Sequence, residues 1–284
     1  MLVVNCVEPS FGVGVYSYTR WITHACSKPV RREERPMFEK LAPVTRDAHK
    51  KLKIQPIDNF NFAKEFHIAS VMAHEFVRAA SVYPIVFIED GSNDFRPVAM
   101  MGLEVGKNLF IDDEGKWQAS YVPAIIRRYP FALAKAGDSD QFTVCLDEGA
   151  SILSEKGEGN PLFNEDGEPT EVIENVKKYL SELQQMEMFT TAFCGFLKEN
   201  NLFTPLNMRV VADEKLKNIT GCYVVNEERL NNLSDTTFLD IKAKRYLPAI
   251  YAHLVSLAQI ERLSMLQKGV SGLKVAEVEE PAVH

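Results

Sequence analysis

The sequence predicts an α+β fold in which a mainly antiparallel sheet packs against a long amphipathic helix and C-terminal helices. Three observations lead to this prediction. Short apolar runs joined by tight turns occupy residues 85–111, a helical apolar period runs through residues 170–198, and helical segments close the chain. Strands joined by tight turns must be antiparallel, because a parallel crossover needs a dozen or more residues. Segregated groups of strands and helices are typical of the α+β class.

The first half of the chain predicts one helical segment followed by short strands. Residues 59–81 are expected to be helical at least in their second half, ending before Tyr83-Pro84, because the residue before a proline avoids the α region. Turn clusters at 90–93 and 112–115 bound the apolar runs that follow. The predicted strands are residues 85–88, 97–103, 109–111, 131–134 and 142–146, with a short helix near residues 125–128.

The long helix predicted at residues 170–198 has the clearest pattern in the chain. Apolar or small side chains recur at alternating spacings of four and three, which places them on one helix face. They are Val172, Val176, Tyr179, Leu183, Met186, Thr190, Phe193 and Leu197. Neighbouring apolar residues widen this stripe, as expected for a helix that packs on a sheet.

The last third of the chain contains a short internal repeat and a helical C-terminal part. Residues 209–219 resemble residues 223–233, and each copy predicts a brief strand followed by one or two helical turns. Pro248 is expected to split the final helical pattern into residues 236–246 and 248–267, because proline disrupts a helix interior.

The composition is that of an ordinary globular protein with an acidic balance. Among 284 residues, 46% are apolar and 25% charged, with a net charge of −7. This charge argues against a nucleic-acid partner, which requires a basic surface for the phosphates. No run of about 18 apolar residues is present, so we expect no transmembrane segment.

Cysteine usage and the N-terminal sequence predict a reducing, cytoplasmic location. The five cysteines are widely spaced and form no C-x-x-C pair, which favours buried thiols over disulfides or a zinc site. They are Cys6, Cys26, Cys145, Cys194 and Cys222. No signal peptide is recognised, because the basic cluster follows the apolar part of the N-terminus.

The expected organisation is one main domain with two terminal additions. Residues 1–36 lack a clean period and are predicted to be a disordered, dispensable extension. Residues 37–268 form the main domain, with an internal boundary expected at the Gly-, Asn- and Pro-rich stretch 155–169. Residues 269–284 are expected to be a loose tail.

Histidines and acids provide weak candidates for chemistry. His74 and Glu75, together with His67, invite a metal-site interpretation, but the spacing differs from H-E-x-x-H and no third ligand is specified. His253 lies in the last helical segment, where a buried, hydrogen-bonded histidine is more common than a catalytic one. Phosphate-binding loops, dinucleotide fingerprints and nucleophile elbows are absent from the sequence. We therefore predict no metal and no cofactor, and a non-enzymatic protein is favoured.

The most unusual local group combines arginines with aromatic side chains. Its members are Trp117, Tyr121, Arg127, Arg128 and Tyr129. Two arginines beside three aromatic rings can bind a carboxylate or phosphate through bidentate hydrogen bonds and stacking. The alternative is that an arginine ties down backbone carbonyls while the aromatic rings fill the core.

Several segments together resemble the SapC family of Gram-negative bacteria. The similarity extends from about residue 37 to residue 266. The residues that carry it are Tyr83-Pro84-Ile85-Val86-Phe87, Trp117, Tyr121-Val122-Pro123, Ile126-Arg127-Arg128-Tyr129-Pro130-Phe131, Leu162-Phe163, Gly167, Pro169, Tyr223-Val224-Val225, Tyr246-Leu247-Pro248, His253-Leu254 and Ser256-Leu257. Each piece is short, but the combination is specific.

The resemblance implies an association with surface-layer or cell-envelope protein biology, since the family takes its name from a surface-layer locus. It supplies no catalytic residues. The leading hypothesis is an accessory protein that binds a protein partner in the cell envelope or secretion machinery, and an exposed apolar patch would support it. The alternative is a small-molecule-binding or modifying enzyme at Arg127 and Arg128, which requires a pocket there. A third hypothesis is that the chain is a surface-layer subunit, since the family analogy allows a surface association. The sequence does not specify an oligomeric state.

Overall fold

The structure is a computed structural model that describes residues 37–90, 92–135, 142–212 and 215–268. The predicted N-terminal extension, residues 1–36, and C-terminal tail, residues 269–284, lie outside the described residues. Within the described residues, antiparallel sheets and a long helix followed by C-terminal helices confirm the predicted α+β class.

The strands form three sheets in the described part of the chain. In chain order they are β1 (Leu41–Pro43), β2 (Lys53–Ile54), β3 (Ile68–Ser70), β4 (Ile85–Glu89), β5 (Phe95–Met100), β6 (Phe131–Lys135), β7 (Phe142–Asp147), β8 (Leu153–Ser154), β9 (Asn160–Pro161), β10 (Phe203–Ala212) and β11 (Lys215–Val225). The largest sheet has the order β10-β11-β4-β5-β3. A second has the order β1-β7-β6, and a small third sheet has the order β8-β2-β9.

The helices cover the large sheet and connect it to the second one. In chain order they are α1 (Arg46–His49), α2 (Phe76–Ala79), α3 (Ala124–Arg127), α4 (Glu171–Glu199), α5 (Glu227–Asn231), α6 (Asp235–Ala243), α7 (Leu247–Ser256) and α8 (Gln259–Gln267). Short 3-10 helices lie at Asn61–Ala63 and Ala73–Glu75. The predicted boundary at residues 155–169 remains a prediction; strand β9 within it pairs with β2.

Helix α4 confirms the prediction of a long amphipathic helix. Every residue of the predicted stripe is buried or half-buried, including the core residues Phe193 and Leu197. The helix contacts β5 and the 3-10 helix Ala73–Glu75 of one layer and β6 of the second sheet. It therefore spans two sheets.

The centre of the large sheet is strand β4. Ile85, Val86 and Phe87 are fully buried on both faces, as expected for a central strand covered by helices. Helix α7 lies against β4 and β11. Cys145, Cys194 and Cys222 are buried free thiols, as predicted.

The internal repeat forms a β-hairpin, so the helix predicted in its first copy is wrong. Strands β10 and β11 pair antiparallel, with Val210 opposite Lys217 and Phe203 opposite Val225. The backbone of residues 215–219 is thus paired with β10, and this tertiary partner overrides a weak helical preference. The helix predicted in the second copy is confirmed as α5.

The helix predicted within residues 59–81 is confirmed only for its last part. Residues 73–79 are helical as Ala73–Glu75 and Phe76–Ala79, whereas Ile68–Ser70 is strand β3. Ala69 lies opposite Ala99 of β5, so an available sheet edge decides the conformation of this apolar stretch.

Two other local predictions are wrong. Among the described residues, the segment 109–111 makes one isolated bridge, Ile111 to Trp117, and no strand. The Asn108 side chain accepts the Phe110 amide hydrogen at 3.0 Å, so this amide is not available to a neighbouring strand. The final helix, predicted to be continuous from Pro248, is interrupted between α7 and α8. The Ser256 hydroxyl donates to the His253 carbonyl at 2.6 Å, and such local bonds compete with the helical ladder.

Candidate functional site

The structure brings Glu75, Tyr121 and Arg127 of the predicted site together. The Tyr121 hydroxyl donates to Glu75 Oε1 at 2.5 Å, and Arg127 Nη2 lies 3.4 Å from the Tyr121 hydroxyl oxygen. Tyr121 belongs to the loop before α3, and Arg127 is the last residue of that helix. The Tyr121 hydroxyl therefore connects the loop before α3 to the last residue of α3.

Glu75 anchors this arrangement from a buried position. Its Oε2 accepts the Met72 amide hydrogen at 2.8 Å, which closes the 3-10 helix Ala73–Glu75. Its Oε1 accepts the Ala124 amide hydrogen at 2.8 Å, at the start of α3. A carboxylate that binds backbone donors of two segments fixes their relative position.

His74 does not join Glu75 in a site. Its exposed ring packs on Phe189 of α4 with a centroid distance of 4.6 Å. Within the described residues, no group of three or more His, Cys, Asp or Glu side chains is placed to hold a metal ion.

Arg127 is an exposed cation held between aromatic rings. Its Nε donates to the Val122 carbonyl at 3.0 Å, and its guanidinium carbon lies 5.6 Å from the Tyr121 ring centroid and 5.9 Å from that of Tyr179. In the described part of the chain, no carboxylate forms an ion pair with Arg127. The guanidinium has further N–H donors, and these can bind an anion.

Arg127 borders a cavity of about 340 Å³, here called the Arg127 cleft. This volume falls in the range of small-molecule sites. The cleft is lined by Arg127, Arg128, Tyr129 and Tyr179 together with Ile54, Gln55, Pro56, Ile57, Phe131, Ile152, Asn160, Val172, Asn175, Val176 and Leu180. Arg127, Arg128 and Tyr129 of the predicted group therefore border one cavity, whereas His74 and Glu75 are not among its lining residues.

Arg128 and Tyr129 are largely buried. The Arg128 guanidinium carbon lies 5.3 Å from the Phe38 ring centroid, and the Tyr129 ring stacks on Phe62 at 4.0 Å. Burial and the nearby Asp147 carboxylate raise the pKa of Tyr129 to about 12. Tyr129 is therefore a neutral wall of the cleft at ordinary pH.

Trp117 supports the site without lining the cleft. Its Nε1 lies 3.0 Å from the Tyr83 hydroxyl oxygen and 3.1 Å from the Tyr121 carbonyl oxygen. The Tyr83 hydroxyl also donates to that carbonyl. Burial raises the pKa of Tyr121, and the Glu75 carboxylate raises it further, so Tyr121 acts as a hydrogen-bond donor.

His253 lies in the core and outside the cleft. Its Nδ1 is 2.8 Å from the Ile85 carbonyl oxygen, and its Nε2 accepts the Val225 amide hydrogen at 3.0 Å. Burial lowers the pKa of His253 to about 4. A neutral imidazole therefore joins β4, β11 and α7, which is a structural role.

Tyr179 is a polar residue of the cleft that the sequence did not predict as part of the site. It was predicted as part of the packed face of α4, yet its ring lines the cleft and its hydroxyl donates to the Ala124 carbonyl at 3.1 Å. The tyrosine hydroxyl on a mainly apolar stripe was the available signal, since a half-buried tyrosine usually finds a hydrogen-bond partner.

Fold and site together define an α+β protein with an arginine- and tyrosine-lined cleft beside a long helix. The sequence model of the SapC family matches residues 44–263, which is most of the chain. The chain therefore belongs to the SapC family. No curated protein and no solved structure matches the chain. No helix of the described residues is long and apolar enough to cross a membrane.

Proposed function

We propose that this SapC-family chain is an accessory protein that binds a protein partner of the cell envelope or secretion machinery. The family's association with a surface-layer locus supports the biological setting. The observation that carries the proposal is an apolar surface on α7 and the neighbouring α2 that is exposed in the described part of the chain. We call it the α7 face and define it by Val77, Tyr251 and Val255.

The α7 face combines residues from two helices that pack together. The ten residues of α7 include no charged side chain. Ile250 and His253 are buried against the sheet, whereas Tyr251 is 50% and Val255 70% exposed. These two residues lie one turn apart on the same side. Helix α2 contacts α7, and its residue Val77 is 65% exposed.

A helix that is apolar all round is normally covered on every side. Contiguous exposed apolar side chains are also characteristic of protein-interaction surfaces. Aromatic residues such as Tyr251 are enriched where partners bind. The α7 face therefore supports a role in protein binding.

A matched pair of valine substitutions tests this proposal. Val255→Lys adds a charge to the α7 face, and Val105→Lys makes the same change at an exposed valine of a loop. Tagged full-length chain recovered from its own cells should carry an envelope or secretion protein in stoichiometric amount. The V105K variant should retain that partner and V255K should lose it. Equal recovery with both variants, or no stoichiometric partner, would contradict the proposal.

A second candidate function is the binding of a small anion in the Arg127 cleft. The observation in its favour is the exposed guanidinium, which pairs with no described carboxylate and borders a 340 Å³ cavity. Native mass spectrometry of protein purified from its own cells should then show a bound anion. Arg127→Gln should release it, whereas Arg78→Gln, a change at an exposed arginine of α2, should not.

A further inference from the structure

A second concave region lies between α4 and the sheet β1-β7-β6. It consists of two adjoining cavities of about 500 Å³ and 410 Å³. Both are bordered by Leu133, Phe142 and Gln184, so they meet near the middle of α4. We call this region the α4 groove. It is separate from the α7 face.

The α4 groove is long and lined largely by apolar side chains. Along α4 its lining runs from Ile173 to Thr191, a distance of about 27 Å at the rise of an α-helix. Val144 and Ile173 border one cavity and Leu180 and Leu183 border the other. The shape and lining suit an extended apolar chain.

The charges that border the groove are mostly positive, although the whole chain carries −7. Arg46 and Lys177 border one cavity, and Arg96 and Arg128 border the other. Glu187 is the single carboxylate among the lining residues of the two described cavities. A cationic border on an acidic protein is complementary to an anionic ligand.

The two ends of the groove differ in how their cations are held. Arg96 already lies 3.4 Å from Asp90 Oδ2 and 3.5 Å from Glu187 Oε1. Arg46 donates from Nη2 to the Asp166 carbonyl at 2.7 Å and forms no ion pair with a described carboxylate. Lys177 pairs with Glu174 at 2.8 Å on the exposed surface, where such a pair contributes little. The Arg46 and Lys177 end is therefore better suited to an anionic head group.

We propose that the α4 groove binds a single-chain amphiphile with a carboxylate head group. The apolar chain lies between α4 and β6 and β7, and the carboxylate binds Arg46 and Lys177. Guanidinium groups bind carboxylates through paired, parallel hydrogen bonds.

Titration calorimetry of the full chain with monomeric dodecanoate tests the proposal. We expect saturable binding, and decanoate should bind about tenfold more weakly because it buries two fewer methylene groups. Gln184→Trp fills the junction of the two cavities and should abolish binding. Gln185→Trp, the same change at the next, exposed residue, should bind as wild type does. Thermal unfolding of both variants verifies that they fold.

A second matched pair tests the head-group end. Lys177→Gln should weaken dodecanoate binding about threefold and leave dodecanol binding unchanged. Lys178→Gln, at the neighbouring exposed lysine, should change neither. Absence of saturable dodecanoate binding, or equal effects of the two lysine variants, would overturn the proposal. Flotation with phosphatidylglycerol vesicles without binding of monomeric dodecanoate would also overturn it, in favour of a membrane-surface site.

This inference stands apart from the proposed protein partner. V255K changes the α7 face and should bind dodecanoate as wild type does. Q184W should conversely retain a partner bound at the α7 face. Each proposal can therefore fail without the other.

Discussion

At the residue scale, the carboxylate of Glu75 joins two segments that are far apart in sequence. It accepts hydrogen bonds from Met72, Tyr121 and Ala124 while itself buried. Because Tyr121 in turn contacts Arg127, the position of the exposed guanidinium depends on this buried acid. The acid is thus a positioning group for the Arg127 cleft.

Replacing Glu75 with Gln should lower the free energy of unfolding by about 2 kcal/mol, because the amide group presents donors to a site that supplies three donors. Urea unfolding at neutral pH measures this change. Glu65→Gln, at an exposed glutamate, should stay within about 0.5 kcal/mol of wild type. A urea midpoint of E75Q equal to that of wild type would show that Glu75 is not a positioning group for the Arg127 cleft.

His253 makes stability depend on pH in a defined direction. Its folded pKa of about 4 lies below the ordinary value of 6.5, so protonation favours the unfolded chain. The stabilisation is complete above pH 6.5 and is lost as the pH falls toward 4. Between pH 7 and pH 5, this group alone should lower the free energy of unfolding by about 2 kcal/mol.

Urea unfolding at pH 7 and pH 5 checks the His253 prediction. His253→Phe should be less stable at pH 7, since the Ile85 carbonyl and Val225 amide lose their partner, and should show a smaller loss at pH 5. Burial also lowers the pKa of His67, so part of the pH dependence of the free energy of unfolding should remain in H253F. An unchanged slope in H253F would refute the assignment.

The predicted site residues show which parts of a site a sequence can specify. Tyr121, Arg127, Arg128 and Tyr129 are close in sequence, and their local group was found. Tyr179 lies 52 residues beyond Arg127, and only tertiary packing places its ring beside that guanidinium. The local sequence can indicate that Tyr179 needs a hydrogen-bond partner, but it does not specify which distant residue lies beside its ring.

At the element scale, periodicity predicted α4 well because 29 residues average out single exceptions. The segment at residues 215–219 failed because a brief run has little intrinsic preference and its conformation follows its pairing partner β10. The length and hydrophobic period of a helix can therefore be recognised in the sequence, whereas the pairing partner of a short strand cannot.

Two helices end on non-glycine residues in the left-handed region, and both ends can be stabilised. After α4, Asn201 has φ 52°, its amide bonds the Lys198 carbonyl at 3.0 Å, and the Leu202 amide bonds the Leu197 carbonyl at 2.9 Å. After α6, Arg245 has φ 61° with the equivalent pair of bonds. This is the Schellman arrangement, in which glycine is preferred.

Asn201→Gly and Arg245→Gly should each raise the free energy of unfolding, by up to about 1 kcal/mol, since glycine relieves the strain of a positive φ. Arg245→Gly should give the larger gain, because asparagine tolerates this region better than arginine. Denaturant unfolding of the two variants and their double mutant measures the effect. Lys242→Gly inside α6 should instead destabilise by about 1 kcal/mol; stabilisation there would contradict the reasoning.

At the scale of the whole molecule, α4 is the element that holds two layers together. It packs on β5 of the large sheet and on β6 of the second sheet. The α4 groove lies where the helix spans the second sheet. The α4 groove thus forms because one helix packs on two sheets.

The second sheet is tied to the start of the described chain through Asp147. This fully buried carboxylate at the end of β7 accepts the amide hydrogens of Glu39 at 3.0 Å, Lys40 at 2.8 Å and Gly149 at 3.1 Å. Met37 and Phe38 are also buried in the core. The described domain therefore includes residues 37–40.

Two truncations test whether the domain begins there. A chain that starts at Met37 should have the urea midpoint of the full chain. A chain that starts at Leu41 loses two amide donors to a buried carboxylate and the burial of two apolar side chains, which together cost about 5 kcal/mol or more. This is comparable to the whole stability of a typical domain, so the shorter chain should not fold. The full-length variant Asp147→Asn removes the carboxylate but keeps the buried side chains of Met37 and Phe38. Its free energy of unfolding should lie between those of the full-length chain and the Leu41-start chain. A Met37-start chain that fails to fold would show that residues 1–36 are part of the domain.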